Sequence, residues 1–157
     1  MKTIYLLRHA KADKSPINDL ERDLSAKGRR QAESIGQWMS ENEIMPNRVI
    51  CSSAKRTKFT AKICSEQIGY QRSIRFEDRL YDAGIDTYLG ILAALNNKYN
   101  SVMIVGHNPT ISAMVTILTG DQINLSPCML VCIETDIDEW SSLKDVHGSL
   151  KWFHIPS

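Results

Sequence analysis

The run Ser101-Val102-Met103-Ile104-Val105 constrains this chain more than any other stretch. It is apolar at nearly every position rather than at every second one, the pattern of a central parallel strand covered on both faces. Such a strand needs helices above and below its sheet, and parallel neighbours reached by crossover connections. A second run of the same kind, Thr3-Ile4-Tyr5-Leu6-Leu7, ends abruptly in Arg8-His9. Two reactive side chains thus fall at the carboxyl end of a buried strand, where open α/β sheets bind ligands.

The segments between these runs alternate in period. Lys11 to Leu24 is polar, carries Pro16 and Asn18, and reads as a loop longer than the usual connection, a type that is often functional. Ser25 is the expected N-cap of a helix with Ala32, Ile35 and Met39 on one face, and Gly28 in its first turn implies close packing. Pro46-Asn47 breaks that helix, and Arg48 to Cys51 reads as a strand. The next helix carries Thr57, Ala61, Cys64 and Ile68 on one face, with Ser52 or Ser53 as its cap. A brief edge strand over Ser73 to Phe76 precedes a helix capped by Asp86, with Tyr88, Leu89, Leu92 and Leu95 inward. After Val105, Asn108 as N-cap and Pro109 at the first helical position start a helix that Gly120 ends. Cys128 to Glu134 and Leu150 to Ile155 read as strands at the sheet edge. This order predicts an α/β fold, a three-layer α/β/α sandwich with a mostly parallel sheet. A chain of 157 residues suits one domain over residues 1–157.

Composition narrows the partners. A formal charge of +1 lacks the basic excess of a nucleic-acid binder, and no apolar stretch reaches membrane-spanning length. The N-terminal run stops at Arg8 with no small-residue cleavage site after it, so a cytoplasmic protein without membrane association is expected. Cys51, Cys64, Cys128 and Cys132 form no CxxC pair and read as reduced, buried thiols rather than a disulfide or zinc framework. His147 and His154 stand beside no motif and receive no role. Lys11, Lys14, Arg22, Lys55 and Lys58 are balanced by Asp13, Asp19, Glu21 and Asp23 and read as ordinary surface charge.

Arg56 is different. It falls in the first turn of its helix, where a cation opposes the helix dipole and a bound anion would resolve the conflict. With the strands adjacent and parallel, Arg8, His9, Arg56 and His107 converge at one sheet edge and form a trap for a dianion. Arginine forks match phosphoryl oxygens, and the neighbouring positive charge holds an imidazole neutral and nucleophilic.

Four segments carry a resemblance: Leu7-Arg8-His9-Ala10-Lys11, Asp19 to Gly28, Ser52-Ser53-Ala54-Lys55-Arg56-Thr57, and Val105-Gly106-His107-Asn108-Pro109. In order and spacing they resemble the motifs of the histidine phosphatase superfamily, with its phosphoglycerate mutase-like fold. Among its members they are most similar to the small SixA-type phosphohistidine phosphatases. Ala10 stands where the larger family usually has Gly, a mark of this subgroup. The resemblance implies that His9 attacks phosphorus in line and forms a phosphohistidine intermediate that water hydrolyses. Arg8, Arg56 and His107 then bind the equatorial oxygens, with neither metal nor other cofactor. It implies a general acid best matched by Asp82, ahead of Asp78 and Glu77, and leaves Ser15 and Arg22 as loop residues that could line the substrate pocket. The short connection between the Arg56 and Asp86 helices leaves little chain for a lid, so the expected substrate is phosphohistidine on a protein. The alternatives are a small phosphate ester, as for a phosphomonoesterase of the same superfamily, and a non-catalytic phospho-binding or scaffold domain.

Overall fold

The structure is a computed structural model and describes residues 1–14 and 18–157. Among these, six strands form one sheet in the order β3-β2-β4-β1-β5-β6, with β1 at Lys2–Arg8, β2 at Arg48–Ser52, β3 at Arg75–Glu77, β4 at Ser101–Gly106, β5 at Leu130–Thr135 and β6 at Ser149–His154. The apolar run that forms β4 lies inside the sheet, parallel to β1 on one side and to β2 on the other. β3 extends the parallel part, whereas β5 and β6 are antiparallel additions beyond β1.

The sheet is therefore mixed, and its parallel part is confined to β3, β2, β4 and β1. The reason lies at Cys128, whose N–H lies 3.1 Å from the carbonyls of both Arg8 and His9. The chain thus enters β5 beside the carboxyl end of β1 and must run back along it. A parallel neighbour would have required a further crossover.

Alternate side chains of each central strand enter two separate cores. Ile4, Leu6, Ile50, Val102 and Ile104 pack under α3 (Ile85–Ala93) and α4 (Thr110–Thr119), against Tyr88, Leu92, Met114 and Val115. Leu7, Val49, Cys51, Met103 and Val105 face α1 (Ala26–Glu41) and α2 (Lys55–Ile68), against Ala32, Ile35, Ala61 and Cys64. These are the three layers expected from the element order. Cys51, Cys64, Cys128 and Cys132 are buried free thiols. Among the described residues no helix is long and apolar enough to cross a membrane.

The expected cap is found at α1, and the other helices start differently. Ser25 caps α1 by accepting the Gly28 N–H at 3.0 Å. A Cβ on Gly28 would overlap the Lys11 carbonyl oxygen, so α1 can press its first turn onto the segment after β1 only with glycine there. The cap of α2 is Ala54, not Ser52 or Ser53; that of α3 is Gly84, with Asp86 in the first turn; that of α4 is Pro109, not Asn108. The brief edge strand falls at Arg75–Glu77 rather than Ser73 to Phe76.

Register decides where the functional side chains meet. Arg8 is paired with Gly106 across β1 and β4, and Cys51 with Val105 across β2 and β4. The next residues of all three strands, His9, His107 and the start of α2, consequently leave the sheet at the same edge.

Candidate active site

At that edge lies a cavity of about 350 Å³ lined by Arg8, His9, Asp19, Arg22, Arg56, Tyr81, Asp82, His107 and Asn108. It contains Arg8, His9, Arg56 and His107 together, as the sequence reading expects, and also takes in Arg22 and Asp82. Ser15 lies outside the described residues. Asp78 does not line the cavity, and the Glu77 carboxylate is engaged by Arg79 and Arg75 at 3.0 Å each.

His9 is held by its own neighbour. Its Nδ1 lies 2.7 Å from the Ala10 carbonyl oxygen, which can only accept, so Nδ1 carries the proton and Nε2 keeps its lone pair. Burial, aided by the charges of Arg56, Arg8 and Arg22 and opposed by the Ala10 hydrogen bond, pushes the imidazole pKa down to about 4. The ring is neutral at physiological pH. Ala10 is itself fully buried, and its N–H donates to Thr60 Oγ1 at 3.0 Å, while that hydroxyl donates to the Arg56 carbonyl at 2.7 Å. One chain of hydrogen bonds therefore ties the His9 backbone to the α2 turn that presents Arg56.

The rings of His107 and His9 are 5.4 Å apart between centroids. His107 Nε2 pairs with Ser52 Oγ at 2.8 Å, which gives Ser52 a role in the site instead of the helix cap expected of it. Burial first, then the neighbouring His9 and Arg56, brings the His107 pKa to about 3. Its backbone N–H donates to Tyr88 Oη at 3.2 Å. The preceding Gly106 is required by the same tyrosine, since a Cβ there would stand 2.5 Å from that oxygen.

Each arginine has a separate anchor. Arg8 Nη1 donates to the Leu125 carbonyl at 2.9 Å, an oxygen that Asn108 Nδ2 also meets at 2.9 Å. Arg56, only 6% exposed, donates from Nη1 to the Asp19 carbonyl at 2.7 Å and from Nη2 to Asp19 Oδ2 at 2.9 Å. Arg22 Nη1 reaches Asp19 Oδ1 at 3.1 Å, and Tyr81 Oη donates to Asp19 Oδ2 at 2.7 Å. The Tyr81 hydrogen bond, then those of Arg22 and Arg56, hold the Asp19 carboxyl well below the usual carboxylate range. Among the described residues, the Nε groups of Arg8 and Arg56 are buried without an acceptor. Leaving such donors unsatisfied is costly, and an acceptor-rich anion is the natural complement to a site built from them.

Asp19, Tyr81 and Asn108 were not expected to line the site, Asn108 being expected only as a helix cap, nor was the pairing of Ser52 with His107. Asp19 lies in a segment that carried the family resemblance, yet nothing in its aperiodic surroundings directs its carboxylate to Arg56. The histidines given no role stand apart: His154 stacks on Trp38 with centroids 3.9 Å apart, and His147 lines a different hollow beside α3 and α4.

The sequence profile of the histidine phosphatase superfamily (branch 1) matches residues 4–92, more than half the chain. An uncharacterised protein of Mycobacterium leprae is 29% identical, over 96% of this chain and 99% of its own length. Two solved structures described as candidate phosphohistidine phosphatases SixA are similar throughout. That from Agrobacterium tumefaciens has a TM-score of 0.86 at 27% identity, covering 99% of each chain. That from Nakamurella multipartita has a TM-score of 0.85 at 27% identity, covering 99% of this chain and 96% of the other. His107 lies beyond the matched segment and reaches Arg8, His9 and Arg56 only through the pairing of β4 with β1 and β2, in the fold shared with both structures. From β1 through the Arg56 helix to α3, this chain belongs to the histidine phosphatase superfamily.

Proposed function

We propose that the protein is a phosphatase that hydrolyses phosphohistidine carried on a protein, through a covalent intermediate on His9. The observation that carries this reading is a neutral His9 whose tautomer the Ala10 carbonyl dictates, in a cavity walled by Arg8, Arg22 and Arg56. A nucleophile must offer a lone pair, and the attacked phosphoryl group must lose its electrostatic shield; this arrangement supplies both.

In the first half-reaction His9 Nε2 forms a bond to phosphorus as the bond to the substrate nitrogen breaks, and that electron pair leaves with the substrate imidazole. In the second, water attacks the phosphorylated His9 and releases inorganic phosphate. Arg8, Arg56 and His107 bind the phosphoryl oxygens as charge redistributes, and Arg22 widens the cationic wall. The two SixA structures support phosphohistidine as the substrate class. The exposed rim around Asp19 and Asp82 suits a phosphoryl group presented on a protein surface.

Asp82 is the proposed acid for substrates with a poorer leaving group. It lines the cavity, and its backbone sits at φ 51°, a left-handed conformation uncommon outside glycine. That placement favours, as a second reading, hydrolysis of small phosphate esters by the same site.

The test is turnover without added metal of a phosphohistidine-bearing protein and of p-nitrophenyl phosphate, beside His9→Ala, with acid-labile phosphate trapped on the enzyme. Turnover and trapped phosphate that both vanish in His9→Ala are expected. No turnover of either substrate by the unmodified protein refutes the enzyme reading, and turnover of esters alone promotes the second.

A further inference from the structure

A carboxylate in a phosphate site needs an explanation. Asp19 lines the same cavity as His9, and its Oδ2 is 2.9 Å from Arg56 Nη2, so it lies one guanidinium away from where that arginine would meet a phosphoryl oxygen. A negative charge at that distance opposes the approach of a phosphate dianion. A site shaped only for inorganic phosphate or a neutral alcohol ester gains nothing from it. A site whose substrate carries a positive group beside the phosphoryl gains a partner.

Phosphohistidine is such a substrate. Its phosphorus is bonded to one ring nitrogen, and when the other nitrogen is protonated the ring is a cation with an N–H to donate. We propose that Asp19 is the specificity-determining residue that accepts this N–H, selecting N-phosphorylated imidazole over phosphate esters; the proposal rests on the phosphohistidine reading above.

Three features of Asp19 fit this role. Its carboxylate is fixed, with Oδ2 accepting from Tyr81 and Arg56 and Oδ1 from Arg22, which uses three of about four acceptor positions and leaves one on Oδ1. Its side chain is nonetheless 46% exposed, so the remaining position is reachable from the cavity mouth. Tyr81 stands beside it and also meets the His107 ring edge-on at 5.7 Å, giving the departing ring an aromatic wall. Asp82, the other carboxylate of the cavity, has no hydrogen-bond partner to aim it among the described residues.

The chemistry balances without a proton transfer. The substrate ring enters with phosphorus on one nitrogen and hydrogen on the other. His9 Nε2 forms the new N–P bond, the old N–P bond breaks, and its electron pair stays on the substrate nitrogen. The ring leaves as neutral imidazole, keeping the hydrogen that Asp19 accepted. Asp19 thus pairs with a cation in the ground state and keeps the ring oriented as it neutralises, while Tyr81 and Arg22 act as positioning residues.

The experiment compares kcat/KM for phosphoimidazole and for p-nitrophenyl phosphate in the unmodified protein, Asp19→Asn and Tyr81→Phe. The readout is the ratio of the two constants. Asp19→Asn is expected to lower this preference by about 10-fold to 100-fold, the range for loss of a charged hydrogen bond. Tyr81→Phe should lower it less and in the same direction, and it decides the matter if the Asp19 variant does not fold. A ratio unchanged within about twofold in both variants, with the two rates falling together, overturns the proposal and reduces Asp19 to an orienter of Arg56. Turnover of the ester but of neither phosphoimidazole nor a phosphohistidine-bearing protein by the unmodified protein overturns the phosphohistidine reading itself, an outcome visible before any variant is made.

Discussion

Acid should destabilise this fold well above the pH at which its carboxylates titrate. His9 and His107 have pKa values near 4 and 3 when folded, chiefly through burial, against an ordinary value of 6.5. Both folded values are depressed for groups that are charged when protonated, so the unfolded chain binds more protons as pH falls below 6.5. Stability is therefore complete above that value and is lost on the way down to about 4 for His9 and about 3 for His107. Each histidine contributes a slope of about 1.4 kcal/mol per pH unit inside this window, and the pair roughly twice that. Between pH 7 and pH 5 the loss should reach ~3–4 kcal/mol, a large share of the ~5–15 kcal/mol that holds a typical domain. Asp19 and Glu77 work in the opposite sense of charge, since hydrogen bonds depress their carboxyls. The stability they confer begins to fall only in the usual carboxylate range and goes on falling below it, toward their depressed folded values. Urea unfolding at pH 7, 6 and 5 measures the slope, and His9→Gln should remove about half of it. A free energy independent of pH over this range, or a slope unchanged in His9→Gln, would refute the reasoning.

Activity should behave differently from stability: the acidic limb of kcat/KM is expected near pH 4 rather than 6.5, and a limb at 6.5 in a protein still folded would show that His9 is not held neutral by its surroundings. Gly106→Ala brings a methyl group to 2.5 Å from Tyr88 Oη and should destabilise by ~1–3 kcal/mol in thermal melts, with Tyr88→Phe recovering part of the loss in a double-mutant cycle. Thr60→Val leaves the buried Ala10 N–H without its acceptor and should cost ~1–3 kcal/mol in urea unfolding, with a lower kcat because the His9 backbone loses its tie to α2. Asp82→Asn should slow hydrolysis of an alkyl phosphate far more than phosphohistidine hydrolysis, because the alkoxide leaving group needs the acid; equal losses on both would remove Asp82 from that role.

The sequence read alone was most informative where a side chain's surroundings repeat with a period. The continuous apolar runs of β1 and β4, and the spacing of Ala32, Ile35 and Met39 on α1, identified elements that pack as expected. Caps were less legible because a polar side chain at a helix start has other choices. Ser52 pairs with His107 across 55 positions of chain, and Asn108 accepts from Ser112 Oγ at 2.6 Å and donates to the Leu125 carbonyl rather than capping a backbone N–H of α4. The antiparallel course of β5 was likewise hidden, since a strand's direction is decided by where the chain re-enters the sheet.

Arg8, His9, Arg56 and His107 were recognisable because each stands at a strand end or shortly after one, and strand ends are local features of sequence. What sequence determined, then, was the set of groups, two arginines and two histidines, that meet in one cavity. Their distances, the protonation of both imidazoles and the tautomer of His9 depend on burial and on the Ala10 carbonyl, which exist only when the chain is folded. The Asp19 carboxylate is the clearest case: it reaches Arg56 across 37 residues and Tyr81 across 62, separations that leave no periodic trace. Hydrogen bonds between distant loops carry no sequence signature of their own, so tertiary structure alone decided that a fixed negative charge stands beside the Arg56 guanidinium.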